Sequence, residues 1–149
     1  MKKYLVFLAL FGVATAEVAV FTTCEESPEC TVSEVRLTPC KEKTFCRLKK
    51  GTVSAISFDF TPNFSADKLK AGLFWASDSG DVAFPDMFEA DGCQYTGCPL
   101  EAAKTQTFDY SLRLGKKLPN GKYVFKMKVW DEGDKTKICC FKTQVELRK

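Results

Sequence analysis

The sequence predicts an all-β fold, an immunoglobulin-like β-sandwich of two antiparallel sheets. Three observations predict it. Apolar residues recur at every second position in one run after another, clusters of turn-forming residues separate the runs, and no segment sustains a helical period over about twelve residues. The amino terminus stands apart. Lys2 and Lys3 precede an apolar run at 4–13, and Ala14-Thr15-Ala16 supplies small residues for cleavage, which is the pattern of a secretory signal peptide. The run falls well short of the ~20 apolar residues a spanning helix needs. Residues 1–16 are therefore expected to be removed, leaving residues 17–149 as one domain.

Taken in order, the first run holds Val35 and Leu37. In SAISFDF (54–60), Ile56, Phe58 and Phe60 alternate with small or polar residues. In LKAGLFW (69–75), Leu69, Ala71, Leu73 and Trp75 share one parity. In FDYSLRL (108–114), Phe108, Tyr110, Leu112 and Leu114 stand against Asp109, Ser111 and Arg113. In YVFKMKV (123–129), Tyr123, Phe125, Met127 and Val129 alternate with Lys126 and Lys128. The last run sets Phe141, Thr143, Val145 and Leu147 against Lys142, Gln144 and Glu146. Successive side chains on a strand point to opposite faces, so each run has one buried side and one wet side. Thr61-Pro62-Asn63, Ser79-Gly80-Asp81, Leu118-Pro119-Asn120-Gly121 and Asp131-Glu132-Gly133-Asp134 are turn material, and Asn120-Gly121 predicts a tight hairpin turn. Residues 76–107 are poor in strand signal and are expected to run across one end of a six- or seven-stranded sandwich.

Composition excludes several function classes. Residues 17–149 hold 20 basic and 19 acidic side chains, a balance of +1, which makes no electrostatic case for nucleic acid or an anionic membrane. The chain has no histidine, so the commonest general base and every Ser-His or Cys-His nucleophile pair are missing. Asp86, Glu89 and Asp91 are grouped carboxylates of the kind a glycosidase needs, but they lie in one turn-rich loop. A binder is expected rather than an enzyme, with no cofactor and no metal.

All eight cysteines lie beyond residue 16: Cys24, Cys30, Cys40, Cys46, Cys93, Cys98, Cys139 and Cys140. An even count in a small secreted domain reads as a disulfide framework. Cys40 and Cys46, and Cys93 and Cys98, each flank a short turn-like loop and are expected to close on themselves. Cys24 and Cys30 then face Cys139 and Cys140. Neighbours on a strand point to opposite faces, so one of these long-range bridges is expected toward the core and the other toward solvent. Cys139 shares the parity of Thr143, Val145 and Leu147 and is expected inside.

Four stretches carry a resemblance: VSEVRLTPC (32–40) with a second cysteine six residues on, CRLKKGT (46–52), VAFPDMFEADGCQYTGCPL (82–100), and LPNGKYVFKMKVWDEGDKTKICC (118–140) with its closing strand. The chain resembles the ML lipid-recognition domain family over nearly all of residues 20–149, and within it the Niemann-Pick type C branch and its arthropod-type members. The resemblance implies an apolar tunnel between the two sheets and the bridges Cys40–Cys46, Cys93–Cys98 and Cys24–Cys140. The family usually has six cysteines, so Cys30 and Cys139 are an added pair expected to bond to each other. Cys24–Cys139 with Cys30–Cys140 stays open as the alternative, and the inward parity of Cys139 favours it.

By the same resemblance, Val82, Phe84 and Pro85 are expected at the tunnel entrance, Phe58, Phe60, Leu73, Tyr110, Leu112, Phe125 and Met127 along its walls, and Val145 deeper. Cys93–Cys98 is expected to hold Phe84-Pro85 in place, and Lys68 and Lys70 to meet the head of a bound lipid. The expected protein is a secreted monomer, extracellular or lysosomal, carrying a sterol, fatty acid or similar molecule. Delivery of that molecule is expected to involve docking to a membrane or receptor. The alternative is an innate-immune pattern-recognition protein of the same family. Asn63-Phe64-Ser65 is an N-glycosylation sequon.

Overall fold

The computed structural model describes residues 17–149, so the expected signal segment lies outside the described residues. Ten strands form two sheets: β1 (Phe21–Thr23), β2 (Cys30–Thr38), β3 (Cys46–Lys49), β4 (Val53–Pro62), β5 (Leu69–Ala76), β6 (Val82–Ala83), β7 (Ala90–Asp91), β8 (Gln106–Arg113), β9 (Gly121–Asp131) and β10 (Asp134–Arg148). The smaller sheet has the order β2-β4-β8. In the larger, β10, β9 and β5 form the centre, β1 and β3 share the outer edge of β10, and β6 and β7 share the outer edge of β5. Every strand pairing is antiparallel except one, since β3 runs parallel to β10. The Cys40–Cys46 loop carries the chain from the end of β2 to the edge of β10, where β3 runs alongside the last residues of that strand.

The period-two runs set the two inner faces. Ile56, Phe58, Phe60, Phe108 and Leu112 from the smaller sheet meet Leu69, Leu73, Phe125, Met127, Phe141 and Val145 from the larger, all buried. Val32 and Val35 differ in parity, yet both are buried, because a bulge between Val32 and Glu34 shifts the register by one residue. Phe58 lies at the centre of the core. Its ring centroid is 5.4 Å from Phe60, 5.2 Å from Phe108 and, across the two sheets, 5.0 Å from Phe141.

Two expected connections run differently. Residues 76–107 do not cross an end. They follow the free edge of β5, where a row of unpaired backbone groups needs partners. The Phe84 amide donates to the Leu73 carbonyl at 2.9 Å, and β7 pairs with Lys70 and Ala71. The segment then reaches the other sheet, where the Tyr95 carbonyl accepts from the Asp109 amide at 3.0 Å. Asn120-Gly121 is not a hairpin turn either, because β8 and β9 belong to different sheets and residues 114–120 cross between them. Gly121 opens β9 with a φ of +148°, a backbone state suited to glycine. The hairpin is the next turn, where Asp131 and Asp134 pair across Glu132-Gly133.

Disulfides join Cys24 to Cys140, Cys30 to Cys139, Cys40 to Cys46 and Cys93 to Cys98. Cys139 faces the core, as its parity implies, while Cys140 lies on the outer side with Cys24, Trp130 and Ile138. The inward placement does not impose the alternative pairing, because Cys30 opens β2 and is itself part of the core cluster. Ser27 caps the remaining edge of β10, donating to the Ile138 carbonyl at 3.0 Å and accepting from the Cys140 amide at 3.1 Å.

Both outer faces are tied by charge. Arg36 forks onto Asp59 at 2.7 and 2.9 Å and also donates to Glu34 and Ser57; its hydrogen bonds hold the Asp59 carboxyl below its ordinary pKa. On the larger sheet, Lys126 Nζ lies 2.6 Å from Glu26 and 3.1 Å from Asp81, and Lys128 lies 3.3 and 3.6 Å from the same carboxylates. Burial alone would raise the Glu26 pKa, but hydrogen bonds from Lys126 and Lys128 outweigh it and lower the value to about 2.

Two outcomes follow from these contacts. Phe58→Ala is expected to cost about 3–5 kcal/mol in chemical denaturation, through lost burial and the cavity left at the centre of the aromatic cluster. A carboxylate whose folded pKa is depressed contributes stability above its unfolded value and loses it on protonation. For Glu26 that loss is expected between about pH 4.5 and about pH 2. Glu26→Gln should flatten this part of the pH–stability curve, and an unchanged slope in urea titrations would remove Glu26 from the acid response.

Candidate ligand-binding site

At one end of the sandwich the sheets part along the edge between β8 and the segment beside β5. A cavity of about 290 Å³ opens there. Phe84, Pro85 and Asp86 form one wall, Leu112 and Arg113 at the end of β8 form another, and Gly115, Lys117, Leu118 and Pro119 of the crossover close it. Its lining is apolar, with Arg113, Lys117 and Asp86 at the rim. Phe84 is held from two sides, with its ring 5.0 Å from Trp75 and 5.1 Å from Phe125. A short 3-10 helix, Pro85–Met87, follows and buries Met87.

A second cavity of about 500 Å³ lies at the same end, lined by Phe45, Trp75, Tyr123, Val145 and their neighbours. Trp75 and Tyr123 form the partition between the two. Trp75 meets Phe84 of the first cavity edge-on, and the Tyr123 hydroxyl donates to the Pro119 carbonyl at 2.8 Å. Both cavities are lined by neighbouring strand residues of both parities, Trp75 with Ala76, Tyr123 with Val124 and Val145 with Gln144 at the larger, and Leu112 with Arg113 at the smaller.

The residues expected from sequence fall into groups. Phe84, Pro85 and Leu112 meet at the smaller cavity and Val145 at the larger. Leu73, Phe125 and Met127 are buried on the inner face of the larger sheet. Phe58 and Phe60 lie in the packed aromatic cluster. Tyr110 is half-buried against Tyr95, ring centroids 5.4 Å apart. Val82 is 43% exposed and pairs with Trp75 on the edge strand, so its side chain does not line either cavity. Lys68 and Lys70 lie away from both cavities. They belong to the opposite end of β5, where Lys70 pairs with Glu132 at 3.7 Å. The cations at the opening are Arg113 and Lys117.

Trp75, Tyr123 and Leu118 are cavity residues beyond those expected from sequence, although Trp75 and Tyr123 carry the inward parity of their runs. The Cys93–Cys98 loop sits further along the same edge than Phe84. Tyr95 within it packs on Phe108, and Thr96 Oγ1 donates to the Thr107 carbonyl at 2.9 Å, so the loop clasps β8 to the β5 side of the sandwich. A separate depression of about 680 Å³ lies on the outer face of the larger sheet, over Phe74, Trp130 and Ile138, with its rim carboxylates Glu26 and Glu89 paired to Lys128 and Lys135. Cys24, Glu26 and Cys140 converge nearby, but the two sulfurs are joined in a disulfide and are not thiolate metal ligands.

Comparison with known proteins agrees with this architecture. The chain is 46% identical over 149 residues to the MD-2-related lipid-recognition protein of Manduca sexta, covering 98% of this chain and 97% of that one. It is 27% identical over 109 residues to NPC intracellular cholesterol transporter 2 of Canis lupus familiaris, 72% of each chain. Among solved structures, a Niemann-Pick type C2 protein from the Japanese carpenter ant superposes with a TM-score of 0.75 at 21% identity, covering 87% of this chain and 99% of that one. The ML domain model matches residues 19–147, and the chain belongs to the ML domain family.

Proposed function

We propose that this protein is a secreted carrier that holds one lipid, a sterol, fatty acid or similar apolar molecule, between its two sheets. The observation that carries the reading is the apolar opening between the sheets at Phe84, Leu112 and Leu118, in a chain whose relatives include a lipid-recognition protein and a cholesterol transporter. No chemistry is required. Removing apolar surface from water is worth about 25 cal/mol per Å², so burying several hundred Å² yields on the order of 10 kcal/mol. That offsets the loss of translational and rotational freedom on binding. The lipid tail enters beside Leu112 and displaces the contact between Phe84 and Phe125 on its way toward Met127, side chains that offer apolar surface without unmet polar groups. The protein acts as a monomer whose open end docks to the donor or acceptor of its cargo, and its destination is extracellular or lysosomal. Asn63 is exposed in the turn after β4 and is available to carry a glycan.

Native mass spectrometry of the protein purified from its own tissue is expected to show a lipid-sized mass adduct. Leu118→Asp should weaken displacement of a fluorescent lipid probe at least tenfold while leaving the far-ultraviolet circular dichroism unchanged. A protein that carries no adduct and binds no sterol or fatty-acid probe would sink the proposal. Cys93→Ser with Cys98→Ser is expected to lower stability by about 2 kcal/mol, the chain-entropy value for a loop this short. The sandwich should persist while bound probe dissociates faster. Unchanged probe dissociation would detach that bridge from ligand retention.

A further inference from the structure

β4 begins with a serine on its inward side. Ser54 shares the parity of Ile56, Phe58 and Phe60 and is 0% exposed. Across the ladder it faces Leu112, a residue that lines the smaller cavity. Its Oγ is the one buried side-chain oxygen or nitrogen among the described residues with no hydrogen-bond partner. The other buried polar side chains are all satisfied. Ser27 bonds Ile138 and Cys140, Thr143 Oγ1 donates to the Val20 carbonyl at 2.9 Å, and Lys126 meets two carboxylates. A buried hydroxyl left unpaired is costly, and native proteins rarely keep one without a reason. Alanine would fill the position without that cost.

We propose that Ser54 is the internal polar contact for the cargo, bonding a neutral oxygen, a hydroxyl or carbonyl, at the end of the lipid nearest the opening. This inference rests on the lipid-carrier reading and narrows it to uncharged lipids that bear such an oxygen. A serine hydroxyl both donates and accepts, so an alcohol or a ketone satisfies it equally. A carboxylate would accept from it too, but only at the cost of burying its charge. An anion at Ser54 would be buried without a counter-charge, since Arg113 and Lys117 are exposed at the rim. A fatty-acid anion therefore keeps its head at the rim and leaves Ser54 unmet, as a plain hydrocarbon does. The favoured cargo is a sterol-like or long-chain alcohol or ketone.

The test compares wild type with Ser54→Ala, and with Ser54→Cys, which nearly keeps the side-chain volume. Hexadecanol, hexadecane and hexadecanoate each compete against a fluorescent lipid probe, and the delipidated proteins are melted in parallel. Ser54→Ala and Ser54→Cys are expected to weaken hexadecanol binding by about three- to tenfold, the worth of one net hydrogen bond. Hexadecane and hexadecanoate should stay within about twofold. Delipidated Ser54→Ala should melt at the same temperature as wild type or higher. Equal weakening for all three ligands, a lower melting temperature of the delipidated alanine variant, or unchanged hexadecanol affinity would each overturn the assignment. Failure of every ligand to displace the probe from wild type would instead bring down the lipid-carrier reading, and this inference with it.

Discussion

Two adjacent cysteines on one strand set the frame of this molecule. Because neighbours on a strand point to opposite faces, Cys139 and Cys140 reach different partners on different sides of β10. Cys139 turns inward and bonds Cys30, the first residue of β2, so it fastens the larger sheet to the smaller through the core. Cys140 turns outward and bonds Cys24, which draws the chain after β1 over the outer face. Each closes a loop of more than a hundred residues, the range where constraint of the unfolded chain is largest, approaching 5 kcal/mol on the entropic model. Both lie toward the end of the sandwich where β4 finishes and β5 starts.

The remaining bridges reinforce that asymmetry. Cys93–Cys98 clasps the β5 and β8 edges near the same end. Cys40–Cys46 sits at the far end, but on the opposite edge, where β3 meets β10. The corner bounded by Phe84, Leu112 and the 114–120 crossover has no bridge, and the 290 Å³ cavity opens there. The aromatic load divides along the same line. Away from this corner, Phe58 stacks on Phe108, meets Phe60 tilted and Phe141 edge-on, and joins the sheets as solid core. At the corner, Trp75, Tyr123 and Phe84 meet edge-on or tilted and leave space beside them. The same residue type thus serves as packing at one end and as a lining at the other, and position relative to the bridges decides which.

Parity carried most of the fold. A strict alternation such as Phe125, Met127 and Val129 against Lys126 and Lys128 fixes a face, because a one-residue slip would bury the lysines. What parity cannot fix is which end of a strand faces an opening. Lys70 in β5 and Lys68 just before it illustrate this, since they stand at the end of that strand away from the cavity beside Phe84. It cannot reveal β6 and β7 either, since two residues make no period and their pairing depends on the free edge of β5. The parallel pairing of β3, four residues long, is set by where the Cys40–Cys46 loop delivers the chain. The inward placement of Ser54 is hidden in the sequence for a related reason. It stands one period before Ile56 in the same run, but a polar residue ends an apolar pattern even where the strand still points inward.

The corner at Phe84 is also held from outside the sandwich. Asp81 immediately precedes β6 and therefore the chain that delivers Phe84, while Glu26 lies two residues from Cys24. Lys126 and Lys128 grip both carboxylates from the outer face of β9, and Lys128 also rests 5.2 Å over the Phe74 ring. Phe125 and Met127, the inward neighbours of these lysines, contribute to the core beneath Phe84. One strand therefore positions the Phe84 corner from both sides, by packing on its inner face and by charge on its outer face. The turn that carries Phe84 is in this way linked to the fastened end of the molecule through Glu26 and the Cys24–Cys140 bridge, without a disulfide at the opening itself. A bridge placed there would fix the two sheet edges together across the cavity beside Phe84 and Leu112.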